Sequence, residues 1–310
     1  MPKVVITDGE RFPFEPEELQ QLARANLDPL VIQAKAEQEL LDLDADVMAL
    51  IVFGTRITAR VIQHFPQLKI IARCGIGVDN IAVEYARKQC VTVTTVPDYC
   101  LVDVADYVLM AMLLLSRQVA WLNQRVHLGF WDAYPIYQPL HRLEGQVLGL
   151  IGYGNLGQAV AQRTSFLKMN VLAYDPYLTP NDIPPARVSF VSLPRLLAES
   201  DFISLHVPLT VGTRNLLGAK EFAQMKSGTY LINTSRGGVI NETALTDALI
   251  RGKVRGAVLD VLEHEPPDTV NPLFNNPNVI FTPHSAAHTE EALHEVKARA
   301  ISSVIQTLNT

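Results

Sequence analysis

The chain has 310 residues, of which 48% are hydrophobic, and a formal net charge of -6 at pH 7. This length and composition are sufficient for two packed domains, and the modest charge, with lysines and arginines scattered, excludes a strongly basic surface for nucleic acid or anionic lipid. A small-molecule partner is therefore expected. The three cysteines show no metal-ligand spacing, so no metal site is predicted. An odd thiol, with no signal pattern and no membrane-spanning apolar run, indicates a cytoplasmic protein.

The first third of the chain, from residue 4 to about residue 96, alternates short apolar runs with amphipathic segments. This alternation predicts strands and helices in turn, and hence a parallel sheet. One strand ends in a glycine turn, Gly75-Ile76-Gly77, which can present backbone N–H groups to a carboxylate. On this stretch alone, a plain strand-to-helix connection is the preferred interpretation.

The chain is predicted to cross into a second domain near Pro97. We expect one domain to contain residues 1–97 and 288–310 and the other to contain residues 98–287. The final amphipathic helix, over residues 290–308, is expected to return and pack on the first domain.

A long helical pattern over residues 104–116 follows the crossing. It is apolar on nearly every side, so it is expected to be buried between domains or to form part of a subunit interface. The aromatic residues after it, Trp121, Trp131 and Tyr134, are interpreted as core or interface anchors rather than as ligand contacts.

The apolar run 148–151 breaks into three glycines, Gly152, Gly154 and Gly157, and then resumes as a helical pattern. In a dinucleotide-binding loop the first glycine permits a tight turn, the second lets a pyrophosphate approach the backbone, and the third lets the helix pack closely. The helix N-terminus then attracts the phosphates. The same spacing also occurs in turns that bind nothing, so the loop alone is a weak signal.

The next predicted strand, 170–174, ends at Asp175. An acid about 20 residues beyond the glycine loop is placed for the ribose hydroxyls of a dinucleotide. A carboxylate there repels a 2′-phosphate, and Pro176 and Tyr177 offer no arginine to receive one, so the predicted cofactor is NAD rather than NADP. The alternative is an ordinary aspartate that caps the turn before Pro176.

Four further strand patterns, with helical segments between the first three, predict a doubly wound sheet. They cover residues 202–208, 229–234, 254–260 and 279–283. Polar residues gather just past the carboxyl ends of these strands, the edge at which open α/β sheets bind ligands. These residues are His206, Thr234, Ser235, Arg236, Asp260 and His284.

Arg236, Glu265 and His284 follow separate strands and together match what reduction of a ketone by hydride requires. An arginine can clamp the substrate carboxylate, and a histidine can donate the proton to the developing alkoxide. A carboxylate bonded to the second ring nitrogen orients the histidine and favours its charged form. Each residue also has a simpler interpretation: the arginine as a partner of a helix C-terminus, the glutamate as a solvated loop acid, and the histidine as a helix cap.

Several of these segments together resemble the D-isomer-specific 2-hydroxyacid dehydrogenase family. The resemblance runs from Gly75 almost to the C-terminus, and it rests on the glycine loop with Asp175 and on the segments 206–210, 233–238, 260–266 and 282–284. It implies an α/β protein of two doubly wound parallel-sheet domains, a Rossmann NAD-binding domain and a flavodoxin-like substrate domain, with the active site in the cleft between them. It also implies a homodimer built through the NAD-binding domain, in keeping with the apolar helix after Asp103.

The resemblance also implies roles for individual residues. It makes Arg236, Glu265 and His284 the catalytic trio, and the N–H groups of Gly75, Ile76 and Gly77 bind the substrate carboxylate. The implied cofactor contacts are Gly152, Gly154, Asn155, Leu156, Gly157, Asp175, His206, Pro208, Thr213, Thr234, Ser235 and Asp260. Among them, Asn155 and Leu156 meet the pyrophosphate, Pro208 and Thr213 lie along the adenosine, and Thr234 and Asp260 flank the nicotinamide.

The family pattern limits the substrate to a small 2-keto acid and its D-2-hydroxy acid. Formate is set aside because related formate dehydrogenases carry Gln where this chain has Glu265. Phosphoglycerate is not favoured, since Val52 or Phe53 occupies the place of a phosphate-binding arginine and Arg56 comes a few positions late. Tyr99 lies where some lactate-type relatives place a pocket tyrosine, with hinge packing as the alternative.

The segments around Pro97 and Arg142 also resemble the branch related to the C-terminal-binding corepressors, which bind NAD on the same scaffold. The competing hypothesis is therefore a nucleotide-sensing protein, in which NADH shifts the domain closure and with it a partner surface. The enzyme is favoured because a sensor has no need of Glu265 behind His284.

Overall fold

The structure is a computed structural model, and it describes residues 1–131, 139–178 and 188–309. Within these residues the strands are β1 (Lys3–Ile6), β2 (Asp28–Val31), β3 (Val47–Val52), β4 (Ile70–Arg73), β5 (Thr92–Thr94), β6 (Val147–Ile151), β7 (Asn170–Tyr174), β8 (Val188–Phe190), β9 (Phe202–Leu205), β10 (Thr229–Asn233), β11 (Val254–Leu259) and β12 (Val279–Phe281). The α-helices are α1 (Pro16–Arg24), α2 (Glu37–Leu41), α3 (Ala59–His64), α4 (Val83–Lys88), α5 (Leu101–Arg117), α6 (Val119–His127), α7 (Asn155–Thr164), α8 (Leu193–Glu199), α9 (Ala219–Gln224), α10 (Glu242–Ile250) and α11 (Glu290–Leu308). The chain divides into two compact units: the first is Met1–Tyr99 with Thr289–Thr310, and the second is Cys100–His288.

The first unit is built on a sheet of five parallel strands in the order β2-β1-β3-β4-β5, counted over its described residues. This is the flavodoxin-like order, and it confirms the parallel α/β class predicted for this part of the chain. Helix α11 packs into the core of the first unit through Val296, Ala300 and Val304, which are buried and one turn apart. Burial of each of the two valines contributes about 1.5–3 kcal/mol, so this contact holds the C-terminal helix on the first unit.

The second unit has seven parallel strands in its described residues, in the order β12-β11-β10-β9-β6-β7-β8. The order reverses at β6, because the chain adds β7 and β8 on one side of it and β9 to β12 on the other. Doubly wound sheets bind their ligands beyond the carboxyl ends of the strands at this point of reversal. The glycine loop follows β6 and His206 follows β9, so both lie at this position.

Helix α5 has one buried and one exposed side. Five of its buried residues join the core of the second unit: Ala105, Val108, Ala111, Met112 and Leu115. Val104 is buried as well. Its exposed apolar residues are Val102, Met110 and Leu113. Among the described residues, no single helix has the length and apolar composition needed to cross a membrane. Helices α5 and α6 have that length and composition only when they are counted together, and they are bent by 61° at their junction.

The aromatic residues after α5 differ in their burial. Trp121 is half-buried and lies beneath the guanidinium of Arg125, 5.1 Å from the ring centre. Trp131 is 91% exposed within this chain, so it is not a core residue of the second unit. Tyr134 lies outside the described residues.

Candidate active site

The glycine loop after β6 has the geometry of a dinucleotide-binding turn. Gly152 has a φ of +93°, which favours glycine, and a Cβ there would lie 2.5 Å from the carbonyl oxygen of His206. A Cβ at Gly157 would lie 2.4 Å from the carbonyl oxygen of Gly152, so this glycine lets α7 pack against the loop. No described atom comes within 4 Å of a Cβ built at Gly154, so a ligand can approach the backbone there.

Helix α7 begins directly after this open glycine, at Asn155. Its N-cap is Gly154, which has no side chain to bond the free N–H groups of the first turn. A phosphate is a natural acceptor for these groups, and the helix dipole favours negative charge at this end. The loop therefore fits the pyrophosphate of a dinucleotide.

Asp175, at the end of β7, fixes the glycine loop to the neighbouring strand. Its Oδ2 accepts a hydrogen bond from the N–H of Tyr153 at 2.9 Å, and its Oδ1 accepts one from the N–H of Tyr177 at 3.0 Å. The second bond is the turn-capping contact that the sequence left open as an alternative. The two roles are compatible, because each carboxylate oxygen accepts more than one hydrogen bond and the side chain is half-buried beside the loop.

His206 and Thr234 carry buried polar atoms that have no hydrogen-bond partner among the described residues. These atoms are both ring nitrogens of His206 and the side-chain hydroxyl of Thr234. Burial lowers the pKa of His206 to about 3, so the ring is neutral at physiological pH. Unpartnered buried polar groups are rare in native proteins, and a polar ligand can complete them. Both residues are expected from the sequence to contact the cofactor, and their unpartnered atoms fit that expectation.

Threonine hydroxyls order the loop after β9. The hydroxyl of Thr213 donates to the carbonyl oxygen of Pro208 at 2.5 Å, and the N–H of Thr210 donates to the Thr213 hydroxyl at 2.8 Å. Pro208 and Thr213, which the family resemblance implies lie along the adenosine, are therefore joined by one hydrogen bond.

Arg236 lies on a loop that the last residue of β10 organises. The side chain of Asn233 donates to the carbonyl oxygen of Arg236 at 3.0 Å and accepts from the N–H of Ser235 at 3.0 Å. A Cβ at Gly237 would lie 1.9 Å from the carbonyl carbon of Leu262, so the absence of a side chain lets this loop press against the loop that carries Glu265. The carboxylate of Glu242, which the sequence analysis missed, accepts from the N–H of Glu263 at 2.6 Å and steadies that second loop.

Glu265 and His284 form a hydrogen-bonded pair, with His284 Nδ1 lying 2.7 Å from Glu265 Oε2. The other carboxylate oxygen accepts from the N–H of Leu262 at 3.2 Å. Burial alone would raise the pKa of Glu265, but the hydrogen bond from His284, the charges of His284 and Arg236 and the Leu262 N–H outweigh it, and the net pKa is lowered. An ionised carboxylate only accepts hydrogen bonds, so Nδ1 carries the proton in this pair. The side chain of His284 is 40% exposed and therefore open to a ligand.

Asp260 holds the turn on which His284 sits. The carbonyl oxygen of Asp260 accepts from the N–H of His284 at 2.8 Å. Its carboxylate accepts from the N–H groups of Ser285 and Ala286 at 2.8 and 3.0 Å, and the residue is only 2% exposed. The family resemblance implies that Asp260 lies beside the nicotinamide, and the structure shows that it also binds the turn of His284.

In the glycine turn of the first unit, one of the three N–H groups predicted to bind the substrate carboxylate is already hydrogen-bonded within the chain. Gly75 has a φ of +147°, and its N–H donates to the carbonyl oxygen of Arg73 at 2.9 Å. Ile76 is 43% exposed and follows directly. Burial raises the pKa of the neighbouring Cys74 to about 12, so this thiol stays protonated and unreactive at neutral pH.

Asp8 is a second buried carboxylate that the sequence analysis missed. It follows β1 and is 3% exposed. Its oxygens accept from the N–H groups of Phe53, Gly54 and Thr55 at 2.9, 3.0 and 3.0 Å, which fixes the loop after β3. An acid just beyond a buried strand was the available signal, since the same signal identified Asp175.

Comparison with known proteins agrees with this geometry. The model of the "D-isomer specific 2-hydroxyacid dehydrogenase, NAD binding domain" matches residues 109–286. The chain is 39% identical over 275 residues to a hydroxypyruvate reductase of Thermotoga maritima, covering 88% of each chain. It is 38% identical over 294 residues to a D-3-phosphoglycerate dehydrogenase of Methanocaldococcus jannaschii, covering 94% of this chain but only 55% of that protein. A D-lactate dehydrogenase of Aquifex aeolicus, solved with NAD and lactic acid, has a TM-score of 0.85 and 29% identity, covering 99% of this chain and 95% of the other.

The two parallel sheets, the glycine loop and the polar strand ends define a NAD-dependent oxidoreductase. The chain belongs to the D-isomer-specific 2-hydroxyacid dehydrogenase family. It is an enzyme that transfers a hydride between NAD(H) and a small 2-keto acid or D-2-hydroxy acid. The predicted family, fold class, enzyme class and cofactor are thereby confirmed.

Proposed function

We propose that His284 is the acid–base residue of this reaction, with Glu265 orienting it and Arg236 binding the substrate carboxylate. The observation that carries this proposal is the 2.7 Å hydrogen bond between His284 Nδ1 and Glu265 Oε2. This bond holds one ring nitrogen and leaves Nε2 to exchange a proton with the substrate oxygen. When bound, NADH supplies the hydride, and the protein supplies the proton and the charges.

The charges in this part of the second unit suit a reaction that develops negative charge on an oxygen. Burial alone would raise the pKa of Glu265, but its hydrogen bond with His284 contributes to a net lowering, so an ionised carboxylate fixes the orientation of the ring. Arg236 presents a planar guanidinium, a group that can bind a carboxylate through two parallel hydrogen bonds. Groups held in position in this way stabilise developing charge without the reorganisation that water requires.

The remaining site roles are proposals of the same kind. For the cofactor, the open backbone at Gly154 and the first turn of α7, with Asn155 and Leu156, support binding of the pyrophosphate. The unpartnered atoms of His206 and Thr234 support contacts with the rest of the dinucleotide. For the substrate carboxylate, the Gly75-Ile76-Gly77 turn offers the N–H groups of Ile76 and Gly77, because that of Gly75 is already bonded.

As substrate we propose a small 2-keto acid without a second charged group, such as hydroxypyruvate or glyoxylate. The match to the hydroxypyruvate reductase covers 88% of both chains, whereas the match to the phosphoglycerate dehydrogenase covers about half of that longer protein. The apolar Phe53, in the loop that Asp8 holds, supports an uncharged substrate side chain.

A 2-keto acid with a second anionic group is the other candidate, and one observation favours it. The guanidinium carbons of Arg11 and Arg73 lie 5.8 and 5.5 Å from the ring centre of Phe53. They bring positive charge to the loop in which the sequence shows no arginine at the expected position. A distal phosphate or carboxylate is the kind of group that such charges bind.

We also propose that the protein is a cytoplasmic homodimer assembled through the second unit. The apolar side chains of Val102, Met110 and Leu113 form an exposed side of α5, and Trp131 is 91% exposed nearby in the chain. Apolar and aromatic side chains of this kind are typical of the buried centre of a subunit interface. Light scattering of the purified protein tests this proposal.

The substrate is tested by NADH oxidation with a panel of pyruvate, glyoxylate, hydroxypyruvate and 3-phosphohydroxypyruvate, repeated with NADPH. We expect turnover with NADH, with hydroxypyruvate or glyoxylate preferred. A preference for the phosphorylated compound, lost in Arg11→Ala, would instead support the anionic substrate. The substitution Arg236→Ala is expected to lower kcat/KM by about 100- to 1,000-fold or more, with NADH affinity retained, because a charged donor to the substrate is lost.

Two outcomes would contradict this assignment. Full turnover in Arg236→Ala would remove this residue from the site. No turnover across the panel, with tight NADH binding, would contradict the proposed substrates. Arg251→Ala, on the exposed C-terminal end of α10, is the matched control for loss of one arginine.

A further inference from the structure

Tyr107 is a half-buried residue of α5 that has no role in the proposed reaction, yet its hydroxyl is hydrogen-bonded to the hydroxyl of Thr282. The Thr282 hydroxyl in turn donates to Asp260 Oδ1 at 2.5 Å. Asp260 is the buried carboxylate that holds the turn carrying His284. The three side chains therefore form a continuous chain of hydrogen bonds from α5 to the carboxyl edge of the sheet.

The chain of hydrogen bonds has a fixed direction. The carboxylate of Asp260 accepts hydrogen bonds from two backbone N–H groups and from Thr282, so it acts only as an acceptor. The single proton of the Thr282 hydroxyl is used in the bond to Asp260. Tyr107 must therefore donate its phenolic proton to the Thr282 oxygen. Burial raises the pKa of Tyr107, although the bond to Thr282 acts against this, so the phenol keeps that proton at neutral pH.

The turn at the end of this chain needs such support. His284 has a φ of +54°, a left-handed backbone conformation that residues other than glycine adopt only at a cost in free energy. Conformations of this kind persist where the surrounding structure holds them from several sides. Here the backbone and side chain of Asp260 together accept the N–H groups of His284, Ser285 and Ala286, and Thr282 holds the same carboxylate.

We infer that Tyr107 and Thr282 are positioning residues for His284: by donating in sequence to Asp260, they hold the turn that presents the imidazole to the substrate. This inference rests on the proposed function, since it gives the turn a purpose in proton transfer. The hydroxyl of Tyr107 acts through Thr282 and Asp260, to which the two hydrogen bonds connect it.

The test compares Tyr107→Phe, Thr282→Val, Thr282→Ser and the double variant Tyr107→Phe with Thr282→Val. For Tyr107→Phe we expect kcat to fall by about 3- to 10-fold, the equivalent of one ordinary hydrogen bond, with KM and NADH affinity unchanged. For Thr282→Val we expect a fall of about 10- to 100-fold, because a buried carboxylate loses a donor. Thr282→Ser keeps the hydroxyl and should restore most of kcat.

The double variant shows whether Tyr107 and Thr282 act through one chain of hydrogen bonds or affect kcat independently. If Tyr107 acts only through Thr282, its substitution adds no further loss once the threonine hydroxyl is gone. The matched control is Tyr230→Phe, a buried tyrosine at the start of β10 whose hydroxyl bonds Gln118 and which has no part in the site. This control should keep the kcat of the unmodified protein.

A second readout does not depend on catalysis. Amide hydrogen exchange at Ser285 and Ala286 should be faster in Tyr107→Phe than in Tyr230→Phe, because the carboxylate that binds these amides is held less firmly. If His284→Asn showed that His284 is not the acid–base residue, this exchange measurement would still decide whether Tyr107 holds the turn. The inference is overturned if kcat and exchange in Tyr107→Phe equal those of the control, or if the two losses simply add in the double variant. Should Thr282→Val fail to fold, Tyr107→Phe and Thr282→Ser carry the test alone.

Discussion

His284 follows β12 and His206 follows β9, two strands of the same sheet in the second unit. His284 is 40% exposed at its side chain and bonded to a carboxylate through Nδ1. His206 has both ring nitrogens buried, without a hydrogen-bond partner in the described part of the chain, and its pKa is lowered to about 3. The two rings therefore differ in exposure and in hydrogen bonding, and burial keeps His206 neutral.

The difference between the two rings comes from their surroundings rather than from their position in the fold. Desolvation disfavours the charged form of an imidazole, whereas a hydrogen-bonded carboxylate favours it. His206 experiences only desolvation, whereas His284 is partly exposed and is hydrogen-bonded to the Glu265 carboxylate. Of these two strand-end histidines, the candidate proton donor is therefore His284, whose Nδ1 is hydrogen-bonded to a carboxylate.

The largest expected effect in this comparison is that of His284→Asn. Loss of the acid–base group should lower kcat by about 100- to 10,000-fold, because the substrate oxygen has no positioned proton donor. NADH affinity should change little, since this residue is not part of the nucleotide loop. Steady-state kinetics with the best substrate of the panel, together with an NADH titration, measures both quantities. His264→Asn is the matched control, an exposed histidine of the neighbouring loop, and a comparable loss there would contradict the assignment.

Removal of the charge behind the ring should have a smaller effect. In Glu265→Gln the ring loses the charged acceptor of its Nδ1 proton, so kcat for reduction should fall by about 10- to 100-fold. The carboxylate with the lowered pKa is also gone, so the loss of activity that follows protonation of Glu265 at low pH should be absent from the variant. Rate profiles against pH for the two proteins measure this difference, with Glu263→Gln as the control for an exposed neighbouring acid. An unchanged profile would separate Glu265 from the proton transfer.

Much of the fold and of the candidate site could be predicted from the sequence. Periodic apolar patterns indicate the strands and helices, and the polar site residues follow directly after predicted strands. The strand over 170–174 and the helix over 290–308 were predicted with the bounds that the structure has. The glycine loop was predicted from its three glycines. The structure supplies the physical reason for two of them, because a Cβ at Gly152 would clash with the carbonyl oxygen of His206 and a Cβ at Gly157 would clash with that of Gly152. The pairing of Glu265 with His284 was predicted from the chemistry that a ketone reduction needs, and the structure brings the two together.

Contacts between residues that are distant in the sequence could not be predicted in this way. Tyr107 stands in an apolar helical pattern, and nothing in that pattern indicates a bond to Thr282, 175 positions away. Glu242 reads as an ordinary acid in the first turn of a helix, although it holds the N–H of Glu263. The burial of His206 is also a result of packing, since its segment has the polar and apolar residues typical of any strand end.

The smallest effect concerns the stability of the neutral ring and its dependence on pH. In the unfolded chain His206 binds a proton below its ordinary pKa of 6.5, but in the folded protein it does so only near pH 3. Its contribution to stability is therefore complete above pH 6.5 and is lost as the pH falls from there towards 3. Between about pH 7 and pH 5 the free energy of unfolding of the unmodified protein should fall because the unfolded chain takes up a proton at His206. In His206→Gln this free energy should fall by about 2 kcal/mol less over the same range, because glutamine binds no proton.

Urea unfolding at the two pH values measures this difference, with His127→Gln on the exposed side of α6 as the control for an ordinary surface histidine. The control should lose stability in parallel with the unmodified protein, because it leaves the buried ring nitrogens of His206 in place. If His206→Gln also ran in parallel, the ring would be protonated in the folded chain, and a hidden partner for its nitrogens would be required. If it diverged as expected, the contrast with His284 would be one of desolvation against a carboxylate, and the neutral His206 would be available to a bound dinucleotide at any pH at which the enzyme is folded.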